Sequence, residues 1–203
     1  MKGMCNDMND MNKRIPTREE AYELLTKYNK SESLIKHALS VEAVMLHFAE
    51  ALGEADKEKW GIIGLVHDLD YEMYPEQHCT KTKEILTENN WPDDYIHAII
   101  SHGFGICSDV EPTAKMEKIL YTIDELTGLI TAVALMRPSK SILDTEPKSI
   151  KKKWKQKSFA AGVNREVIEK GANMLGMELN YIIEETLKGM QKVADSIGLK
   201  GNS

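Results

Sequence analysis

Apolar residues recur every three or four positions along most of this chain, which is the spacing of one side of an α-helix. Leu34, Ala38 and Val41 begin one such series. Strand-like alternation of apolar and polar residues does not occur, and no Asn-Gly or Asp-Gly turn lies between two apolar runs. The pattern therefore predicts an all-α protein.

Helix-start and helix-stop residues divide the first half of the chain into five predicted helices. Thr17 and Glu20 form a capping box, Ser31 is a typical N-cap residue, and Gly53 stops the helix that Ser31 begins. Prolines open the fourth and fifth helices, where the missing amide hydrogen costs nothing. The predicted helices cover about residues 17–28, 31–52, 56–69, 75–89 and 92–102.

The second half of the chain contains the most apolar predicted helix, which Arg137 and Pro138 close because the residue before proline avoids the α region. Asn164 caps the next helix, and a long amphipathic helix ends at Gly198. Polar residues at both ends of the chain are expected to be disordered. The predicted bounds are 113–136, 164–175 and 178–197 for the helices, and 1–13 and 200–203 for the disordered ends.

Length and composition fit one globular unit. The chain has 203 residues, 42% of them hydrophobic, so we expect a single domain over residues 14–199. Its longest uncharged apolar stretch, residues 128–136, is far shorter than the roughly 20 residues of a membrane span, and no signal peptide is recognisable. We expect a cytoplasmic protein with no membrane partner. The cysteines Cys5, Cys79 and Cys107 form no CxxC pair and are expected to be free thiols.

Charge is unevenly distributed. The formal net charge is -6, yet residues 148–157 contain six lysines and no acidic residue. This stretch is either a binding surface for an anion such as phosphate or simply a solvated helix end or turn. Net acidity argues against nucleic acid as a partner. The methionines of the C-terminal helices, Met174, Met177 and Met190, indicate core packing or the contact of a homodimer.

Polar residues that could do chemistry lie within apolar surroundings. His67 and Asp68 follow the apolar run at 62–66, and Asp124 lies in the most apolar helix. A buried carboxylate costs several kcal/mol unless it is paired or bound to a cation. Taken alone, His67 and Asp68 could also be a structural helix end, in which the imidazole caps a backbone carbonyl.

Histidines on other predicted helices change that interpretation. His37 lies close to the apolar stripe of its helix, whereas His47 lies on the opposite side and is expected to face water. His78 and His102 fall in the next two predicted helices. Four imidazoles and two carboxylates on five helices are nitrogen and oxygen donors that suit Mn, Fe, Zn or Mg ions. A helical bundle lined by such residues is a common way to build a metal centre.

The order of these residues resembles the HD-domain superfamily of metal-dependent phosphohydrolases. The H…HD…D pattern of that family falls on His37, His67 and Asp68, and Asp124. The resemblance implies an HD-domain-like helical bundle with additional C-terminal helices. In that arrangement, residues 31–136 form the metal core and residues 137–199 form an extension of unknown activity.

His78 and His102 resemble the extra ligands of dinuclear members of the family, such as the bacterial enzymes that split diadenosine tetraphosphate symmetrically. The resemblance implies two divalent ions, with Asp68 bridging them. One ion would be held by His37, His67, Asp68 and Asp124, and the other by Asp68, His78 and His102.

The resemblance also implies a reaction. A metal-bridging hydroxide would hydrolyse a nucleotide or another small phosphate ester or anhydride. Beside Asp68, Asp70 and Glu72 are candidates to orient the attacking water, or they could instead pair with the cations named below. Many family members have a lysine where this chain has Tyr71, so the substrate stays open. The candidate phosphate contacts, each of which could equally be a solvated cation, are Arg137, Lys140, Lys153, Lys157 and Arg165. The alternative is a non-catalytic HD module that binds metal or nucleotide for regulation.

Overall fold

A computed structural model describes residues 13–201. Within that range the regular structure is nine α-helices and two short 3₁₀ helices, so the predicted all-α fold is confirmed. None of these helices is both long and apolar enough to cross a lipid bilayer. The helices are α1 (Arg18–Tyr28), α2 (Glu32–Ala51), α3 (Lys57–Leu65), α4 (Thr80–Glu88), α5 (Asp93–Ile100), α6 (Lys115–Leu135), α7 (Pro147–Trp154), α8 (Arg165–Leu175) and α9 (Leu179–Gln191), with 3₁₀ turns at Pro75–Gln77 and Ser101–Gly103.

The first two helices begin where the sequence predicts. The capping box of α1 is present, since Thr17 N donates to the Glu20 carboxylate over 2.9 Å and Glu20 N donates to Thr17 Oγ1 over 3.3 Å. Ser31 precedes α2 but makes no side-chain cap. Instead, the carboxylate of Glu72 accepts the backbone amides of Lys30 and Ser31. The segment after His67 and Asp68 is thereby joined to the start of α2.

Helices α2 and α6 form the centre of the fold. Helix α2 packs against α3, α6 and α9, and α6 also packs against α8. Because α2 has neighbours on several sides, Val41, Val44 and Phe48 are all fully buried. Burial of each such side chain stabilises the fold by about 1.5–3 kcal/mol. The two helices therefore give a rigid frame for His37 and Asp124.

Three predicted helices are interrupted close to candidate ligands. Helix α3 ends at Leu65, so His67 and Asp68 lie in the turns that follow it. The helix expected at 75–89 is a 3₁₀ turn and α4, separated at His78 and at Cys79, whose φ is +66°. Helix α5 ends at Ile100, and a 3₁₀ turn carries His102. Turn residues aim their side chains in directions that a continued helix would not allow.

The C-terminal end of the described chain is held in place. Helix α9 stops at Gln191, earlier than predicted, and turns lead to Gly198 with φ +69°. Ile142 N donates to the carbonyl of Leu199 over 2.8 Å, and Ser141 Oγ donates to the carbonyl of Lys200 over 2.7 Å. The expectation of disorder is therefore wrong for Lys200. The rest of that expectation, apart from residues 13 and 201, concerns positions outside the described residues.

One expected surface is covered by the C-terminal extension. The side chain of His47 is only 12% exposed, and its Nε2 lies 2.8 Å from the carboxylate of Glu185 on α9. At Gly189 a Cβ would lie 2.9 Å from Val44 Cα, so α2 and α9 approach closely. The expectation that His47 faces water is wrong because helix periodicity describes one helix and not its neighbours. Met190 on the same helix is fully buried in the core.

Candidate metal centre

The six candidate ligands lie in five separate segments that converge at one place. Two are on the central helices and four are in the turns that interrupt the predicted helices. Their ligand atoms fall into two overlapping groups, each compact enough to surround one ion. The first group is His37, His67, Asp68 and Asp124, and the second is Asp68, His78 and His102.

The first group is the tighter of the two. Nε2 of His37 lies 3.0 Å from Asp124 Oδ1 and 3.2 Å from Nε2 of His67. Nε2 of His67 is also 3.2 Å from Asp124 Oδ1. The Oδ2 atom of Asp68 completes the group at 3.6 Å from His37 and 3.4 Å from His67. Four donor atoms therefore face a common point.

The second group uses the other oxygen of the same carboxylate. Nε2 of His78 and Nε2 of His102 are 3.2 Å apart. Oδ1 of Asp68 lies 3.4 Å from the first and 3.5 Å from the second. Asp68 thus presents one oxygen to each group, as a carboxylate shared by two ions would.

Backbone carbonyls orient two of the four imidazoles. Nδ1 of His67 donates to the carbonyl of Gly64 over 2.8 Å, and Nδ1 of His102 donates to the carbonyl of Ile99 over 2.6 Å. Each acceptor lies three residues before its histidine, in the last turn of α3 or α5. With the proton held on Nδ1, the lone pair of Nε2 is directed into the cluster, as metal ligation requires.

A buried carboxylate orients the third imidazole. Asp70 is fully buried, and its Oδ1 accepts the hydrogen bond of His78 Nδ1 over 2.7 Å. Its Oδ2 accepts the backbone amide of Thr82 over 2.8 Å in the first turn of α4. Both oxygens of Asp70 are therefore engaged. We interpret Asp70 as a positioning residue acting through His78 rather than as a group that touches the substrate.

A hydroxyl faces the fourth imidazole. Thr127 Oγ1 donates to the carbonyl of Asp124 over 2.7 Å, so its lone pairs are free to accept. Nδ1 of His37 lies 3.4 Å from that oxygen. The same turn of α6 therefore supplies both a candidate ligand and the group that orients another.

The charges of the cluster are strongly interdependent. Burial disfavours a charged His67, but the carboxylates of Asp68 and Asp124 outweigh burial and hold the pKa of His67 well above its ordinary value. Burial acts to raise the pKa of Asp68, yet His67 and His102 hold that pKa well below its ordinary value, and the pKa of Asp124 is lowered in a similar way. A divalent cation would neutralise the carboxylates of Asp68 and Asp124 in place of the proton on His67. The donor set fits such an ion.

Sequence reasoning missed the surroundings of the second group. Cys79 and Cys107 are unbonded thiols, as expected, but their sulfur atoms lie 3.2 Å apart. The hydrogen bond from Cys79, opposed by burial and reinforced by nearby His78, lowers the pKa of Cys107 to about 6. With His78 these two sulfurs form a third possible ligand group. The one available signal was that Cys79 directly follows His78. Cys5 lies outside the described residues.

Glu72, the other proposed assistant of Asp68, is an exposed residue. As noted for the start of α2, its carboxylate accepts the backbone amides of Lys30 and Ser31 over 2.6 and 2.9 Å. Its hydrogen bonds therefore fix the turn between α1 and α2. No catalytic role follows from them.

Two of the five candidate cations lie far from the cluster along α6. Arg137 follows the end of this helix, about 20 Å from Asp124 at the normal helical rise. Its Nε donates to Asp144 over 2.6 Å, and the exposed Lys140 lies in the turn that follows. A phosphate bound between the two ligand groups is out of reach for both side chains.

The other three cations belong to α7, α8 and the loop between them. The guanidinium of Arg165 donates hydrogen bonds to backbone carbonyls, including those of Trp154 at 3.1 Å and Phe159 at 2.7 Å. These bonds hold the loop in place. Lys153 bonds to Gln156 and lies over the Phe159 ring. Lys157 is exposed.

That loop reaches the turn of α6 that carries Asp124. Asn164 N donates to Glu125 over 3.0 Å. Lys157 thus belongs to a loop anchored beside the cluster, unlike Arg137 and Lys140.

Comparison with known proteins identifies the central part of the chain. Residues 34–129 match the family model of the HD domain. The matched segment runs from α2 into α6 and contains all six candidate ligands. No solved structure is a significant match to the chain. By this match residues 34–129 of the chain form an HD domain.

Proposed function

We propose that this protein is a metal-dependent phosphohydrolase that acts on a nucleotide or another small phosphate ester or anhydride. HD domains are commonly metal-dependent hydrolases. The observation that carries the proposal is the position of Asp68, which offers Oδ2 to His37 and His67 and Oδ1 to His78 and His102. A purely structural ion normally has four protein ligands and no neighbouring ion, so a shared carboxylate favours catalysis.

Two divalent ions, when bound in the two groups, would neutralise phosphate oxygens and make water nucleophilic at neutral pH. The residues of the chain hold the ligand atoms in place before substrate arrives. Each of the four imidazoles is oriented by one group: the backbone carbonyls of Gly64 and Ile99 and the side chains of Asp70 and Thr127. Fixed ligands need little rearrangement during the reaction, which lowers its barrier.

Among the five cations, we retain Lys157 as the candidate for contact with phosphate. It belongs to the loop that Asn164 anchors to Glu125, next to Asp124. Arg165 stabilises that loop through its carbonyl bonds. A lysine offers phosphate a point charge on a flexible stem, so it can follow the substrate as it binds.

Hydrolysis assays on a matched pair of variants test this proposal. Wild-type protein loaded with Mn²⁺, Fe²⁺ or Zn²⁺ is offered phosphomonoesters, phosphodiesters, nucleotides and dinucleoside polyphosphates. Asp68→Asn removes the shared carboxylate, and Asp94→Asn is the control because that exposed residue pairs with Lys59 at the surface, away from the cluster. We expect a loss of at least about 100-fold for Asp68→Asn and little change for Asp94→Asn.

Two results would overturn the proposal. Equal activity of the two variants would show that Asp68 takes no part in the reaction. A metal-loaded wild type that turns over none of these substrates would instead support the non-catalytic HD module.

A further inference from the structure

A cleft of about 330 Å³ opens beside His37, between α2, α6 and the C-terminal segment 197–199. We propose that this cleft binds the alcohol portion of the phosphate ester, that this alcohol is aliphatic or polyhydroxylated, and that Lys36 donates hydrogen bonds to its oxygens. The inference rests on the proposed hydrolase function and adds the substrate class to it.

The cleft begins at one candidate ligand, His37, and continues along α6. Gly128, Thr131 and Leu135 line it, and they follow Asp124 at steps of four, three and four residues. Such steps place all of them on one face of the helix, over a length of about 16 Å. A group attached to a phosphate at the ligand cluster would therefore run along this face of α6 into the cleft.

The opposite wall comes from α2 and includes a cation. Lys36 directly precedes the ligand His37, and both line the cleft. The amine of Lys36 forms an ion pair with Glu32, whose side chain is 81% exposed. An exposed pair of this kind contributes little to stability, so a ligand oxygen can replace the Glu32 carboxylate.

The third wall lies outside the matched HD domain. Gly198 has φ +69°, and a Cβ there would lie 2.8 Å from Lys36 Nζ, so the chain turns tightly against this amine. Bonds from Ile142 and Ser141 to the carbonyls of Leu199 and Lys200 hold the segment. The C-terminal extension thus completes the cleft and places its cation.

The chemistry of the walls indicates the class of ligand. Ser33 and Thr131 supply hydroxyls, and Leu135, Ile197 and Leu199 supply aliphatic surface. Among the described residues that line the cleft, none has a Phe, Tyr or Trp ring. A nucleobase is usually held by stacking on such a ring, whereas an aliphatic or sugar-like alcohol needs hydroxyls, a charged donor and apolar surface. The volume is at the lower end for ligand sites and suits one sugar-sized group.

Kinetics with three probes test the assignment. The probes are ribose 5-phosphate, AMP and methyl phosphate, which differ in what is attached to the phosphate. Thr131→Phe fills the cleft and Lys36→Met removes its cation. Lys81→Met is the matched control, because Lys81 also pairs with a glutamate of its own helix, Glu84, at the surface.

We expect Lys36→Met to raise KM for ribose 5-phosphate roughly tenfold, because it removes one hydrogen bond from a charged donor. Thr131→Phe should raise this KM at least as much, because its ring fills the space that the sugar would occupy. Methyl phosphate leaves the cleft empty, so its KM should change much less than that for ribose 5-phosphate. The control Lys81→Met should match the wild type with every probe. The wild type should prefer ribose 5-phosphate to AMP. Unchanged KM for ribose 5-phosphate in both variants, or a preference for AMP, would overturn the assignment and leave the hydrolase proposal intact.

A binding measurement separates the two proposals. The backbone amide resonances of Gly128 and Gly198 should shift when ribose 5-phosphate is added to wild-type protein, and should shift much less in Thr131→Phe. Shifts without turnover of any probe would support the cleft and contradict the hydrolase. Turnover without shifts at either glycine would contradict the cleft alone.

Discussion

At each histidine of the cluster, Nδ1 faces an acceptor and Nε2 faces the other ligands. Two of the four acceptors are backbone carbonyls, which substitution cannot remove. The other two are side chains, Asp70 and Thr127. Groups of this kind typically change metal affinity 10–100-fold when they are altered. They therefore allow the two ligand groups to be tested separately.

Asp70→Asn should weaken the second ion selectively. The amide keeps the size of the side chain but no longer offers His78 a charged acceptor, so we expect a loss of affinity of about 10–100-fold for that ion. The first ion should keep its affinity. Titration of metal-free protein with Mn²⁺ or Zn²⁺ in a calorimeter measures both affinities.

The surface variant Asp94→Asn again serves as the control and should titrate as the wild type does. Equal weakening of both ions by Asp70→Asn would indicate a general loss of structure rather than the loss of one acceptor. No weakening of either ion would contradict the positioning role of Asp70.

The stability of the metal-free protein should depend on pH in a definite direction. The carboxylates of Asp68 and Asp124 outweigh burial and raise the pKa of His67 well above 6.5, so its charged form stabilises the fold fully below pH 6.5. This contribution is lost as the pH rises through the folded pKa. Burial acts to raise the pKa of Asp68, but His67 outweighs burial and lowers that pKa well below 3.8. The ionised carboxylate of Asp68 therefore stabilises the fold above pH 3.8, and this stabilisation is lost as the pH falls through the folded pKa.

We therefore expect the melting temperature of chelator-treated protein to be highest between about pH 4 and 6.5 and to fall at higher pH. Saturating Mn²⁺ should reverse the trend above pH 6.5, because metal binding requires neutral imidazoles. Thermal melts across this range measure both. A His67→Gln variant with the same metal-free profile as the wild type would show that another group causes the dependence.

The elements show where sequence patterns succeed and where they fail. The capping box of Thr17 and Glu20 and the N-cap Asn164 rest on local hydrogen bonds, and α1 and α8 begin where these residues predict. The predictions are wrong for the end of α3, the start of α4 and the end of α5, because contacts between segments decide where these helices begin and end. The bond from His78 to Asp70 and the contact of Cys79 with Cys107 interrupt a segment whose periodicity alone favours one helix.

Gly103 lies at the point where two of these interruptions meet. A Cβ there would lie 2.4 Å from the sulfur of Cys107 and 2.6 Å from that of Cys79. Gly103→Ala should therefore displace the segments that carry His102 and His78. We expect a loss of about 1–3 kcal/mol in the free energy of unfolding, together with weaker binding of the second ion. Urea denaturation and metal titration measure the two effects.

Gly162→Ala is the matched control, since a Cβ at that position meets nothing within 4 Å. It should change stability by no more than about 0.5 kcal/mol. If Gly103→Ala were equally neutral in both measurements, the close packing of the two sulfurs against this backbone would be contradicted.

On the scale of the whole molecule, the C-terminal extension is part of the same packed unit as the HD domain. Ile182, Ile183 and Met190 of α9 are buried in the common core, and the hydrogen bond between His47 and Glu185 joins α9 to α2. The sequence indicated an amphipathic helix here but not the surface it covers. Periodicity gives the apolar face of a helix, whereas the choice of partner depends on how all the faces fit together.

His47→Ala should destabilise the protein without affecting its metal content. The side chain is largely buried and its partner Glu185 would keep only Lys188, so we expect a loss of about 1–3 kcal/mol. His97→Ala is the control, because His97 is 43% exposed. Denaturation and elemental analysis on the same preparations measure both quantities. Loss of metal from His47→Ala alone would contradict the separation of this pair from the cluster.

His37, His67, Asp68 and Asp124 could be chosen from the sequence because they are polar residues in an apolar setting whose order matches a family pattern. His78 and His102 could be chosen only by their resemblance to the extra ligands of dinuclear family members. The orienting groups could not, since Gly64 and Ile99 act through their backbone and Asp70 looked like a catalytic candidate. The distance of Arg137 and Lys140 from Asp124 was also hidden, although the length of α6 implies it. Roles that depend on direction and distance required the structure.

The central claim is that one carboxylate, Asp68, serves two metal ions. Metal stoichiometry of the wild type and of a His78→Ala/His102→Ala double variant tests it most directly, by elemental analysis of untagged protein loaded with Mn²⁺ or Zn²⁺ and then desalted. The account predicts about two ions per chain for the wild type and about one for the double variant, because His37, His67, Asp68 and Asp124 still surround the first. Equal metal content in the two proteins, whether one ion or two, would contradict it.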